Sequence, residues 1–278
     1  MKEFLRASLS FAWLDFKALR YYPMNGALQV VQSFVSVGIW FFVSLFLQDF
    51  AGPKVEAYGG NFVAYVVVGV LFFQNVSAMM NLPHQSLSTA YWDRRLEVYH
   101  ARGSGLWAFL AGRLIWAFVY QTVILLAILG LAIVASGGSL GSVPHPLAAA
   151  LFYIVFVLTC TGIGLIGASN FFTLEVKQGR EPVTWTVDVL ARIFSGVYYP
   201  ITVLPAALRG VSFLLPHTYA LHGIRQVMIN GAGFGDAETL RAFLILCGFC
   251  VGALAAGIVL LDRAIRRAEK AGGVGIAL

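Results

Sequence analysis

The chain has 278 residues, of which 59% are hydrophobic and 12% charged, and its formal net charge is +6. This composition excludes an ordinary soluble globular domain, in which about 45–50% of residues are apolar and about 25% charged. The apolar residues instead come in runs of about 20, the length that a helix needs to cross a bilayer. The positive charge lies between these runs, without interleaved aromatic residues, so nucleic acid is not an expected partner.

The first 24 residues predict an amphipathic helix. Apolar residues such as Leu5, Leu9 and Trp13 recur at helical spacing, and cations such as Lys2 and Arg6 take the other side. We expect this helix to lie in the cytoplasmic interface, where anionic lipid attracts its cations.

Six membrane spans are predicted to follow, over residues 27–47, 61–81, 106–135, 147–174, 183–199 and 240–261. The interval 82–105 is the most polar interior segment, and a short amphipathic helix is expected in it near Trp92. Residues 262–278 form a basic tail. The fold expected from this pattern is a single all-α transmembrane domain over residues 1–278, within which residues 27–261 hold the spans.

Three prolines interrupt the apolar stretch between the fifth and sixth predicted spans. Pro200, Pro205 and Pro216 leave two helical pieces, about 204–215 and 217–229, that are too short to cross the membrane. Non-helical backbone at membrane depth is tolerated only where protein or a water-filled cavity receives its polar groups. Residues 200–229 are therefore predicted to form a re-entrant hairpin packed against other helices.

The cations predict the topology of the chain. With the N-terminus inside and six spans, most Lys and Arg residues face the cytoplasm, and only Lys54, Arg209 and Arg225 lie on or towards the outer side. A full crossing by the hairpin segment would place the basic tail outside. We therefore expect the hairpin to return to the outer side, both termini to be cytoplasmic, and the protein to be a multi-pass component of the plasma (inner) membrane.

The sequence carries no motif for chemistry of its own. No lysine is followed by Ser or Thr, so a phosphate-binding P-loop is absent, and a separate subunit must supply ATP-derived energy if this chain pumps. No cluster of acids or histidines predicts a catalytic or metal site within a span. Cys247 and Cys250 have C-x-x-C spacing, but no second ligand pair accompanies them, so we interpret them as apolar residues of a helix.

Asp188 and Arg192 lie four residues apart in the fifth predicted span, the spacing of a helical ion pair. An ion-coupled carrier is expected to bury an acid near the middle of the bilayer, and Asp188 is the candidate here. We favour a satisfied pair that orients the helix. An ATP-independent channel or carrier is kept as the alternative class of function. In the fourth span, Gly162, Gly164 and Gly167 are expected to permit close helix packing.

The residues around the prolines resemble a known family. The sequence SGVYYP at 195–200, the Leu-Pro pair at 204–205, the P-x-T-Y sequence at 216–219 and Arg225 are similar to the signature of type-2 ABC exporter permeases. Arg95-Leu96-Glu97 resembles the Gly-Thr-Leu-Glu box of the same family. The chain departs from that box because Arg94 and Arg95 stand where Gly-Thr is usual.

The resemblance implies a half-transporter. Two copies, or one copy and a homologue, would dock two cytoplasmic ATP-binding-cassette ATPase subunits, and these subunits would bind ATP and Mg while this chain holds no cofactor. The ATPase-coupling residues would be Trp92, Arg94, Arg95 and Glu97. The outer hairpin or gate would comprise Tyr198, Tyr199, Pro200, Pro205, Pro216, Tyr219 and Arg225.

Members of this family export drugs, lipids and polysaccharides. Phe is the dominant aromatic residue, with 22 copies, and the spans show few hydrogen-bonding groups. We therefore expect a hydrophobic or amphipathic substrate, such as a drug, lipid or glycolipid, and keep a polysaccharide as the alternative.

Overall fold

The computed structural model describes residues 2–100, 105–135 and 144–270. In these ranges the chain forms α1 (Lys2–Tyr21), α2 (Pro23–Ala51), a 3-10 helix (Gly52–Tyr58), α3 (Phe62–Trp92), α4 (Leu96–His100), α5 (Gly105–Ala135), α6 (Pro146–Thr173), α7 (Pro182–Phe194), a second 3-10 helix (Ile201–Val203), α8 (Ala206–Phe213), α9 (Pro216–Met228) and α10 (Ala237–Lys270). No strand occurs in the described residues, in agreement with the all-α prediction.

Within the described residues, five helices are long and apolar enough to cross a membrane, namely α2, α3, α5, α6 and α10. The predicted fifth span, residues 183–199, is not one continuous spanning helix. The α7 helix has only 13 residues, which is about 20 Å against a hydrocarbon core of about 30 Å. It ends because Gly196 adopts a φ of 73°, a left-handed conformation that glycine tolerates and a continuing helix does not.

Two other helices are longer than the apolar runs predicted. The second span was expected to end at residue 81, but α3 continues through Pro83 to Trp92. Likewise, α10 includes residues 262–270, which were expected to belong to a separate tail; residues 271–278 lie outside the described part. The end of an apolar run marks where lipid contact ends, whereas a helix continues as long as its backbone bonds are made.

The α3 helix is the most buried of the five long apolar helices. In its most apolar stretch 89% of the residues are buried, compared with 11% for α2. Glycines in α6 allow α3 and α10 to approach it closely. A Cβ atom at Gly164 would lie 2.2 Å from the carbonyl oxygen of Met80, and one at Gly162 would lie 2.6 Å from backbone atoms of Ala253. The predicted role of these glycines in close packing is confirmed.

The α1 helix packs on α5 through small residues and through the rings of Phe11 and Phe16, which lie 5.5 Å from those of Phe109 and Trp116. Ser8 and Ala12 are buried, and a Cβ atom at Gly112 would meet the Ser8 carbonyl oxygen at 2.4 Å. Leu5 and Leu9, from the predicted apolar face, are 51% and 57% exposed. The predicted helix is therefore present, and only part of its apolar stripe, including Leu5 and Leu9, is exposed.

Candidate functional site: a proline-bounded hairpin and a polar groove

The segment between α7 and α10 contains two short helices whose ends are set by prolines. Pro205 immediately precedes α8, which has 8 residues, and Pro216 is the first residue of α9, which has 13. Pro200 precedes the 3-10 helix. Because proline has no backbone N–H, it is tolerated at the start of a helix but not inside one. The two predicted helical pieces are present: α8 is narrower than the predicted 204–215, and α9 begins and ends one residue before the predicted 217–229.

Arg225 of α9 is buried and fixes α9 to α3. Its side chain, within a residue only 1% exposed, donates through Nε to the carbonyl oxygen of Tyr65 at 3.1 Å and through Nη2 to that of Val197 at 3.0 Å. The guanidinium carbon also lies 3.5 Å from the centroid of the Tyr65 ring, a cation–π contact. One side chain thus joins α3, α9 and the break after α7.

This arrangement depends on the absence of a side chain at Gly69 of α3. A Cβ atom there would lie 2.1 Å from Arg225 Nη2 and 2.4 Å from the carbonyl oxygen of Val197. The hydroxyl of Tyr65 donates to the carbonyl oxygen of Gly196 at 2.8 Å, which holds the left-handed residue in place. The missing side chain at Gly69 therefore leaves the space that the Arg225 guanidinium occupies.

A cavity of about 370 Å³ lies beside this junction. Pro200, Tyr219 and Arg225, three of the predicted gate residues, line it. Sequence reasoning missed two further lining groups, His222 and Glu238, because they are scattered single residues without a motif. The His222 ring bonds the Tyr58 hydroxyl through Nδ1 at 2.7 Å and Glu238 through Nε2 at 3.1 Å; Lys54 also lines the cavity.

The other predicted gate residues lie elsewhere. Tyr198 stacks on Trp40 of α2, with ring centroids 4.1 Å apart, and the Tyr199 hydroxyl donates to the carbonyl oxygen of Ile193 at 2.5 Å. Neither ring lines the cavity. The structure thus divides the predicted gate into residues at the cavity and residues that tie the break after α7 to its neighbours.

Asp188 and Arg192 form the ion pair that their spacing predicts, with Arg192 Nε 2.8 Å from Asp188 Oδ2. The Ser77 hydroxyl donates to the other carboxylate oxygen, and the guanidinium lies 4.9 Å from the Phe73 ring centroid. Both partners are therefore engaged, and they attach α7 to α3. This geometry agrees with the orienting role favoured from the sequence.

The predicted coupling residues lie at the end of α3 and in the residues that follow it. The Trp92 indole donates to the carbonyl oxygen of Lys177 at 3.1 Å, which ties this end to the link before α7. Arg94 has a φ of 57° and forms the turn into α4, whereas Arg95 is exposed and lies 3.9 Å from Asp93. The backbone of Glu97 belongs to α4, but its side chain lies outside the described part of the structure.

Sequence reasoning also missed a polar groove within the spans. Its α2 face carries Gln29, Gln32, Ser33 and Ser36, and α3 carries Gln74, Ser77, Asn81 and Gln85 on the facing side; Gln121 of α5 completes it. These residues line two adjoining cavities of about 720 Å³ and 340 Å³. The signal in the sequence was the polar spacing 29, 32, 33 and 36, which is one face of a helix.

No family model matches the chain. The Linearmycin resistance permease protein LnrN of Bacillus subtilis (strain 168) is 31% identical to it over 115 residues, which are 41% of this chain and 28% of the relative. The chain thus spans less than a third of that relative's length.

The five apolar helices, together with a relative that is named a permease, identify a multi-pass membrane protein. The match supports the resemblance that residues 195–225 and the Arg95-Leu96-Glu97 box indicate.

Proposed function

We propose that this chain is the membrane subunit of an ATP-binding-cassette exporter, and that it moves an amphipathic molecule out of the cytoplasm or inner leaflet with ATP hydrolysed by a separate subunit. The relative that is named a resistance permease is the observation that carries the proposal. The geometry is consistent with it, because the short helices α8 and α9 flank a cavity beside the buried junction at Arg225.

In this proposal the polypeptide crosses the membrane six times. The short α7 and the non-helical residues 195–200 together make the fifth crossing, and the hairpin of α8 and α9 returns to the outer side. Both chain ends are then cytoplasmic. The exposed cations Arg263, Arg266 and Arg267 near the end of α10 support this orientation, because basic residues are retained on the cytoplasmic side.

The two ends of the molecule have different roles in this scheme. The turn at Arg94 and the α4 helix bind a cytoplasmic ATPase subunit, whereas the hairpin forms the outer gate. A second copy of the chain, or a homologue, supplies the other half of the path. The hairpin suits a gate because interrupted helices have fewer continuous backbone bonds to break when they repack.

Co-purification tests whether the chain depends on a separate ATPase subunit. A tagged chain, extracted from its native membrane in mild detergent, should retain an ATP-binding-cassette ATPase, and the complex should hydrolyse ATP. Export by the chain alone in liposomes, driven by an ion gradient, would contradict the proposal and favour the carrier alternative.

Asp188→Asn separates the same two alternatives. Because Asn keeps the shape of the side chain and still accepts from Ser77, we expect ATP-driven export to fall by less than about threefold. An ion-coupled carrier would lose about a hundredfold or more, since its acid must change protonation state.

A further inference from the structure

Polar side chains recur along the whole groove between α2, α3 and α5, although it lies within apolar helices. Gln29, Gln32, Ser33 and Ser36 occupy positions i, i+3, i+4 and i+7 of α2, so their side chains project from one face. The stripe extends for about 10 Å along the helix. Such a run is costly beside lipid, because amide and hydroxyl groups find no partners in hydrocarbon.

A second stripe on α3 faces the first. Gln74, Ser77, Asn81 and Gln85 recur every three or four residues, and all line the two cavities of the groove. The Gln74 amide donates to the Ser36 hydroxyl, so the two stripes meet at the end of the groove that is farther from the chain's N-terminus. The groove is therefore formed by polar residues that α2 and α3, two antiparallel helices, direct towards each other.

Several amides of the groove have no hydrogen-bonding partner among the described residues. They include the side chains of Gln29, Gln32 and Gln121. Gln121 is only 8% exposed. By contrast, both polar atoms of the neighbouring Asn75 side chain have partners. Its amide nitrogen donates to the backbone carbonyl oxygen of Gln121 at 2.6 Å, and its amide oxygen accepts from the Tyr153 hydroxyl at 2.7 Å. The unpartnered amides are thus available to a ligand.

The charges at the two ends of the groove are already neutralised. Arg113 pairs with Asp15 of α1 at 2.8 Å, and Arg192 pairs with Asp188 at 2.8 Å. Between these pairs the lining groups are amides, hydroxyls and apolar side chains, which both donate and accept hydrogen bonds but carry no charge. This chemistry matches an uncharged polar group better than a phosphate or an ammonium.

We propose that the groove binds the uncharged, hydroxyl- or amide-rich head of an amphipathic molecule, with Gln29, Gln32 and Gln121 as its direct hydrogen-bonding residues. The α2 helix is largely exposed, so the apolar chain of the same molecule extends into lipid beside Leu28 and Val31. This proposal names the class of substrate that the exporter would carry, and in that respect it rests on the proposed function. It also corrects the expectation that the spans hold few hydrogen-bonding groups.

Equilibrium binding to the chain in lipid nanodiscs tests the site without any ATPase. The probes are radiolabelled sucrose monododecanoate, dodecyl sulfate and dodecyltrimethylammonium, which share a 12-carbon chain and differ in the head; partition into empty nanodiscs is subtracted. We expect saturable binding of the sucrose head and binding at least tenfold weaker for both charged heads. Equal binding of the three probes, or no saturable binding, would overturn the proposal.

Two variants locate the binding. Gln32→Leu and Gln121→Leu should each weaken binding of the sucrose probe by about tenfold, the effect of one lost hydrogen bond of about 1.4 kcal/mol. Thr122→Val is the matched control: its hydroxyl bonds Tyr153 and the Phe118 carbonyl oxygen, and it does not line the groove. Unchanged binding in both leucine variants would also refute the site.

The outcomes separate this proposal from the proposed function. If the sucrose probe binds but no ATPase co-purifies, the groove stands and the exporter assignment falls. If an ATPase co-purifies and stimulated hydrolysis is seen, but no probe binds saturably, the exporter assignment stands and the groove is only a water-filled part of the path. The head-group comparison uses the native chain, so it holds even if a variant folds poorly.

Discussion

The indole of Trp40 stacks on the ring of Tyr198, with ring centroids 4.1 Å apart. Trp40 lies one turn beyond Ser36, the last residue of the polar stripe on α2, and Tyr198 lies in the break between α7 and the hairpin. This contact physically connects the groove with the segment that we propose as the gate.

Replacing Trp40 should therefore separate ligand binding in the groove from movement of the proposed gate. We expect Trp40→Leu to reduce ATP-driven export several-fold while leaving binding of the sucrose probe within about twofold, because the stacked pair is lost and the amides are untouched. Export in inverted membrane vesicles and binding in nanodiscs measure the two effects. Trp185→Leu, at a half-exposed position of α7, is the control, and equal export by both variants would argue against the connection.

Arg225 should be a main determinant of hairpin stability. Arg225→Met leaves the carbonyl oxygens of Tyr65 and Val197 without their donor, and we expect a loss of about 2–4 kcal/mol in the free energy of unfolding. Unfolding in mixed micelles with increasing dodecyl sulfate measures it. The control is Arg209→Met. The exposed guanidinium of Arg209 donates to the carbonyl oxygens of Leu204 and Thr202, which water can solvate, so its loss should cost less than about 1 kcal/mol. Similar values for the two variants would contradict this role.

Gly69 should accept no larger residue. Gly69→Ala places a methyl group 2.1 Å from Arg225 Nη2, so the arginine must move and the hairpin should become sensitive to protease. Gly38 of α2 has no atom within 4 Å of the same position, and Gly38→Ala should be neutral or stabilise the helix by up to about 1 kcal/mol. If digestion is equally slow in both variants, the close approach at Gly69 is not required.

Glu97 tests the coupling segment. Glu97→Ala should lower substrate-stimulated ATP hydrolysis and leave assembly with the ATPase intact, because we expect the carboxylate to contact cations on the ATPase surface. Asp93→Ala, in the preceding turn, is the control and should have little effect. Unchanged stimulation in the Glu97 variant would remove this residue from the coupling role.

Much of the architecture follows from one-dimensional patterns. The prolines at 200, 205 and 216 predict the two short helices α8 and α9 because proline acts locally, and the spacing of Asp188 and Arg192 predicts their pair for the same reason. The shortness of α7 was missed, because the conformation of Gly196 is stabilised by the distant Tyr65 hydroxyl.

The buried acid Glu181 shows a second limit of sequence reasoning. It lies in a link that looks solvated, yet it accepts from the backbone N–H groups of Val183 and Thr184 and from the Asn170 amide, and so caps α7. The groove was missed for a related reason: each stripe can be recognised alone, but only the packing of α2 against α3 shows that they face each other.

Accessibility labelling tests the central claim most directly, namely that the hairpin folds back and leaves both chain ends on the cytoplasmic side. Arg209→Cys and Lys270→Cys are made in a chain whose Cys160, Cys247 and Cys250 are replaced by Ala, and intact cells are treated with a membrane-impermeant maleimide. We predict that position 209 is labelled in intact cells and that position 270 is labelled only after permeabilisation. Labelling of position 270 in intact cells would contradict the account, because the end of α10 would then face away from the nucleotide.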